Sequence, residues 1–151
     1  MKRFTGILII LVALLPAILL AQSQEELTNE VIKAEKKRIV SANMQLNEEE
    51  QKVFWPLYDA YQAELSKLED KEIAFITMYA ENYQDMTDEK AQELLNQFLA
   101  VDDEALKVRR AHVKKFLKVL PAKRVARYFQ VENKLDAIVN YDLARGIPLV
   151  K

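Results

Sequence analysis

Only two glycines and four prolines punctuate the 151 residues of this chain, and it has no cysteine. The turns of hairpin-rich sheets need residues that tolerate positive φ, and phosphate-cradling loops need several glycines close together. All-β folds, P-loops and dinucleotide fingerprints are therefore not what this sequence builds. The missing cysteine removes disulfides, thiolate nucleophiles and Cys-based zinc sites. What remains is an all-α chain of long helices with few corners.

The first 23 residues differ from the rest. Lys2 and Arg3 make a short basic start, an apolar run from Ile7 to Leu20 follows, and Ala21-Gln22-Ser23 places small residues two apart. This is the pattern of a secretory signal peptide over 1–23, with cleavage after Ser23 or after Ala21. A spanning anchor needs ~20 apolar residues, and this run is shorter and carries Pro16. Residues 24–151 then form a single domain with 20 basic and 23 acidic residues, a formal charge of −3. That balance suits neither a nucleic-acid-binding protein nor a polyanionic tail. The chain is expected in the bacterial periplasm, with no membrane association once the signal is removed.

Beyond the signal, apolar residues recur at helical spacing throughout. A first helix is predicted from about Asn29 to Ala42, with Asn43 as its stop. Leu46-Asn47-Glu48-Glu49-Glu50 is the clearest helix start: Asn47 can cap the free N–H groups, Glu50 occupies the capping-box position, and three carboxylates complement the positive helix end. The second helix should reach Ala80, with a kink near Lys52 to Trp55 because Pro56 deletes one backbone hydrogen bond. Asn82 to Met86 form the turn, and Thr87 caps a third helix running to Leu120. Pro121 starts a fourth. Gly146-Ile147-Pro148 ends it as a C′ glycine, an apolar C″ residue and a proline stop.

Two helices of about 30 residues joined by a short turn lie antiparallel, as a hairpin roughly 45 Å long. Its apolar stripes are too wide for one hairpin to cover. Either the two shorter flanking helices close the groove or a second copy does, and a kinked homodimer with a residual cradle is the expected resolution.

Chemistry finds little to stand on. His112 is the only histidine, so every Ser-His-Asp or Cys-His scheme would depend on one imidazole. A ferritin-like di-iron site needs Glu-x-x-His, and the residue three before His112 is Arg109. No catalytic residue, cofactor or resident metal is assigned, and the chain is not expected to be an enzyme. The alternative to a binding role is metal sensing through two copies of His112 across a dimer axis, with Glu72 or Asp102 as oxygen ligands. Charge placement says more. Residues 105–131 hold nine basic residues and no acid, whereas 48–72 hold eight acids against three lysines. In a hairpin these segments lie side by side, screening each other and leaving a basic cradle able to steer acidic or unfolded polypeptides. Glu72, Asp102, Arg109, His112 and Glu132 project onto apolar stripes, so they are either paired across helices or line a partly wet groove.

Leu46-Asn47-Glu48-Glu49-Glu50, followed by Phe54-Trp55-Pro56-Leu57-Tyr58 and Tyr61-Gln62, resembles the first L-T-x-x-Q motif of the Spy/CpxP family of periplasmic helical proteins. Val119-Leu120-Pro121-Ala122-Lys123, running into Arg127-Tyr128-Phe129-Gln130, is a weaker echo of the second. The likeness spans about Lys33 to Leu143. Asn47 and Glu50 stand for the motif's threonine and glutamine in the first copy, and Leu120 and Lys123 in the second, which keeps only Pro121. The resemblance implies a bent four-helix dimer with a concave cradle. It also implies either an ATP-independent chaperone for unfolded polypeptide clients or a regulator acting on a sensor kinase's periplasmic domain. Helical projection places Phe54, Tyr58, Tyr61, Arg109, His112 and Phe116 in the lining of that cradle.

Overall fold

The computed structural model describes residues 30–150. The expected export signal over 1–23, its cleavage site and the expected helix start at Asn29 lie outside the described residues. Among the described residues there are four helices and no strand, as the scarcity of glycine and proline requires. The chain divides into two compact units between Asn43 and Met44.

The first unit contributes helix α1, residues 30–44, which ends at the start of the second unit. Its outer face carries the short-range pairs Lys33–Glu30 and Arg38–Glu35, and Val40 is buried. The stop is not Asn43. The helix runs one residue further, and Gln45 takes the left-handed conformation that ends it (φ 48°). Asn43 instead turns its side-chain amide back to the Ile39 carbonyl at 2.8 Å, a bond that satisfies the side chain within the helix.

The second unit is built on α2 (Glu48–Asn82, 35 residues), α3 (Asp88–Phe116, 29 residues) and α4 (Ala122–Gly146, 25 residues). The start of α2 is the expected capping box: Asn47 Oδ1 accepts from the Glu50 N–H at 2.8 Å, and the Glu50 carboxylate accepts from the Asn47 N–H at 3.0 Å. The helix continues through Pro56 and runs two residues past Ala80. Thr87 caps α3, its hydroxyl accepting from the Lys90 N–H. The two helices lie antiparallel, cross-linked by the Phe75–Phe98 ring pair, by Lys71–Glu104 and by Glu64–Lys115.

α3 stops at Phe116, four residues short of expectation. Lys118 and Val119 donate to carbonyls three residues back and Leu120 to Phe116, which tightens the chain into a turn and buries Leu120. The cause is Pro121: its ring disfavours helical geometry at the residue before it, so the helix must close earlier. Pro121 then caps α4 through its carbonyl, which accepts from Arg124 and Val125. The far end also departs from the expected motif. Gly146 is the last helical residue, no described glycine has positive φ, and Ile147 is extended with its N–H on the Leu143 carbonyl. No left-handed glycine cap forms there.

α4 lies along the hairpin parallel to α2. At one end Arg124 bonds Glu50 and the Met44 carbonyl, midway Gln62 donates to Glu132, and at the other end the Tyr79 hydroxyl donates to the Pro148 carbonyl at 2.7 Å. The groove of the hairpin is thus closed, over part of its length, by α4. The aromatic core sits in that part, at the end where α2 begins and α3 finishes.

Replacing Asn47 by Ala removes one arm of the capping box and is expected to cost about 1 kcal/mol, with Asp tolerated to within a few tenths. Urea unfolding midpoints at constant slope check this; equal midpoints for Asn47→Ala and the parent would show that the cap carries no stability.

Candidate functional site

The six residues expected to line a cradle are brought together, but five of them are not on a surface. Phe54, Tyr58, Tyr61, His112 and Phe116 are buried, and only Arg109 reaches solvent. They form the core, which corrects their placement as an open lining. The physical reason is α4: Tyr128 packs against Phe54 at 5.1 Å and Phe116 at 5.0 Å, and Phe129 lies 5.7 Å from Tyr61. Phe54 and Phe116 meet directly across the hairpin at 5.6 Å. Rings at these separations and tilts attract beyond their area burial. A stripe that could line a groove becomes core once a third stripe of rings covers it.

Polar groups thread this core. His112, 0% exposed, stacks on Tyr61 at 5.0 Å and places Nε2 3.1 Å from the Glu64 carboxylate and 3.3 Å from Lys115 Nζ, while its Nδ1 is buried without a hydrogen bond. The His112 hydrogen bond, reinforced by the charges of His112 and Lys115, holds Glu64 below the ordinary carboxylate value. Glu132, buried on α4, accepts from Gln62 at 3.3 Å, and the Tyr128 hydroxyl accepts from the same amide at 3.4 Å. Arg109 donates to Asp136 at 2.9 Å. The Tyr61 hydroxyl faces that guanidinium without reaching regular hydrogen-bond geometry. Burial works against the charge of Arg109, but Tyr61, Asp136 and Glu132 outweigh it and its pKa is raised. Of the stripe-facing charges anticipated from sequence, His112, Arg109 and Glu132 are paired across helices.

Glu72 and Asp102 behave differently: solvent reaches both. They mark the half of the bundle towards the α2–α3 turn, where the inner stripes are covered only in part: Leu94 is buried and Phe75 and Val101 are half-buried. Phe98 on α3 is 46% exposed, and Val139 and Leu143 on α4 are 57% and 40% exposed, although each continues the three- and four-residue spacing of its helix's buried face. Beside them Leu95 and Ile73 are more than half exposed. These residues leave an exposed, partly apolar strip between the C-terminal half of α4 and the hairpin, here called the cleft, with the Tyr79–Pro148 bond at its far end. Sequence periodicity assigns Phe98, Val139 and Leu143 to apolar stripes but carries no signal for which part of a stripe stays open. Asp136, one turn before Val139 on the same face of α4, is a participant that sequence reading missed.

The expected charge pairing of the two segments is partial. Glu64 meets Lys115 and Glu50 meets Arg124, but Lys107, Arg110, Lys114, Lys118 and Lys123 form no ion pair among the described residues. The first three share the face of α3 opposite His112, outside the cleft. Among the described residues no group of three or more His, Cys, Asp or Glu is placed to hold a metal ion, and no helix is long and apolar enough to cross a membrane. Of the motif residues, Asn47 and Glu50 form the capping box, Leu46 is half-buried beside it, and Pro121 caps α4.

Comparison with protein-family models, with curated proteins and with solved structures finds no match.

Burial raises the hydroxyls of Tyr58, Tyr61 and Tyr128 above the ordinary value of 10.0, helped for Tyr58 and Tyr128 by the Glu132 charge. A raised folded-state pKa contributes stability that is complete below the unfolded value and lost as pH climbs above it, because only the unfolded chain then ionises. Tyrosinate absorbance of these three is therefore expected to appear together with loss of helical circular dichroism above that pH. Smooth ionisation of all six tyrosines with helicity intact would contradict their placement in the core.

Proposed function

We propose that this chain is a periplasmic binding protein of the Spy/CpxP kind. It works as a dimer, without catalysis or ATP, and holds unfolded polypeptide clients or a sensor kinase's periplasmic domain against its helices. The observation that supports this reading is the unfinished core. An aromatic cluster anchors one half of the bundle, while in the other half the same stripes leave Phe98, Val139 and Leu143 exposed. An exposed apolar surface mixed with charge suits loose, exchangeable binding, because each apolar contact is worth little alone and the charges keep the surface soluble. The capping box at Asn47 and Glu50 and the cap at Pro121 hold the two motif-bearing helix starts in place, next to the closed half.

The site of binding in this proposal is the cleft beside Phe98, Val139 and Leu143, and the cluster around Phe54 and Phe116 is the rigid frame that keeps it open. The expected outcome is suppression of aggregation of a chemically unfolded client at near-stoichiometric ratio without ATP, read by light scattering. Phe98→Ser combined with Val139→Ser should weaken that suppression with little loss of helicity, since both side chains are already exposed. An aggregation rate unchanged by the parent protein would remove the chaperone version and leave the signalling one.

A further inference from the structure

The cleft is chemically one-sided. Four carboxylates converge on it from three helices: Glu69 and Glu72 from α2, Asp102 from α3 and Asp136 from α4. Their proximity is evident at Glu72, whose carboxyl is raised above the ordinary value by partial burial and then by the charges of the other three. Arg109, the cation at the base of the cleft, pairs with Asp136. Glu69, Glu72 and Asp102 form no ion pair among the described residues. The cations that could have answered them stand on the opposite face of α3. The exposed apolar residues share their faces: Phe98 stands one turn before Asp102 on α3 and meets Phe75 of α2, and Val139 and Leu143 stand one and two turns after Asp136 on α4.

We infer that the cleft takes a basic amphipathic segment, whose apolar side chains meet Phe98, Val139 and Leu143 while its lysines or arginines meet Glu69, Glu72 and Asp102. The inference rests on the binding role proposed above and names the class of polypeptide bound. Other occupants fit less well on physical grounds. An acidic segment would add charge of the same sign to a cluster already repelling itself. An uncharged apolar one would desolvate three carboxylates without supplying a counter-charge. A basic amphipathic helix supplies both requirements at once, laying apolar anchors at three- and four-residue spacing into the cleft with charges flanking them.

The cluster also opposes folding. A carboxyl whose pKa is raised in the folded state favours its neutral form there, so ionised Glu72 lowers stability at neutral pH and Glu72→Gln should raise the melting temperature. A binding role and a purely structural one therefore diverge: neutralising these residues should stabilise the fold and weaken binding together.

The test measures fluorescence anisotropy of three labelled peptides with the full chain: a Lys/Leu amphipathic helix, its Glu/Leu counterpart with the same leucine positions, and a Lys/Ser counterpart with the same charge. Binding of the Lys/Leu peptide is expected to be about tenfold tighter than of either control, and to weaken as salt rises. The double variant Glu72→Gln, Asp102→Asn should bind it about tenfold more weakly, with unchanged helicity and an unlowered melting temperature. Equal binding of the Glu/Leu peptide, or undiminished binding by the double variant, overturns the inference. If the Lys/Leu peptide does not bind while client aggregation is still suppressed, the inference fails and the chaperone role stands; if suppression is absent as well, both fail. Sedimentation covers the remaining occupant: a dimer of the parent that the double variant cannot form would give the cleft to a second copy and likewise overturn the inference.

Discussion

The ring of Tyr128 is the point at which the three helices of the second unit meet. It touches Phe54, Tyr58 and Tyr61 on α2, Phe116 on α3 and its own neighbour Phe129. Burying one such ring contributes on the order of 2–3 kcal/mol, and here one ring closes contacts with two other helices. Its hydroxyl oxygen accepts from the Gln62 amide, so the buried oxygen is not left without a partner. The parallel course of α4 beside α2 follows from this seat, because Arg124 then falls beside Glu50 and Glu132 beside Gln62. A shift of α4 by one turn would break both polar pairs along with the ring packing.

Packing of this quality ends abruptly. On the Phe54 side the rings of α2, α3 and α4 are buried against one another; past Glu132 on α4, Leu135 and Asp136 are half-buried and Val139 and Leu143 are exposed. The two halves place opposite demands on charge. In the closed half, His112 and Lys115 meet Glu64 across helices, as low dielectric requires, and Arg109 pairs with Asp136 where the two halves join. In the open half water screens the carboxylates, so Glu72 and Asp102 persist unmatched. Binding surface and stability frame are thus separated along the length of the same three helices.

Much of this was legible residue by residue. Asn47 with Glu50, and Thr87, announced two helix starts through hydrogen bonds made within three residues. The lack of glycine excluded sheets. Pro121 was placed at a helix start, but its effect on Leu120, which ends α3 four residues early, was not weighed against the apolar periodicity that ran on to Leu120. The order Gly146-Ile147-Pro148 predicts a left-handed glycine cap, yet the chain leaves α4 in extended conformation, with the Ile147 N–H on the Leu143 carbonyl. Gln45, a residue without special turn chemistry, takes the left-handed conformation that ends α1, two residues beyond the stop that Asn43 suggests.

The candidate site divides along the same line. Sequence by itself determined the all-helical class, the caps, the stripes and the membership of the aromatic set, because those depend on spacing and on interactions that reach only a turn or two along the chain. Only the tertiary structure decided that Phe54, Tyr61, His112 and Phe116 are core whereas Phe98, Val139 and Leu143 are surface. All seven sit on equivalent stripe positions. What distinguishes them is whether another helix lies over them, and that is set by where the rings of α4 find their seat on the hairpin.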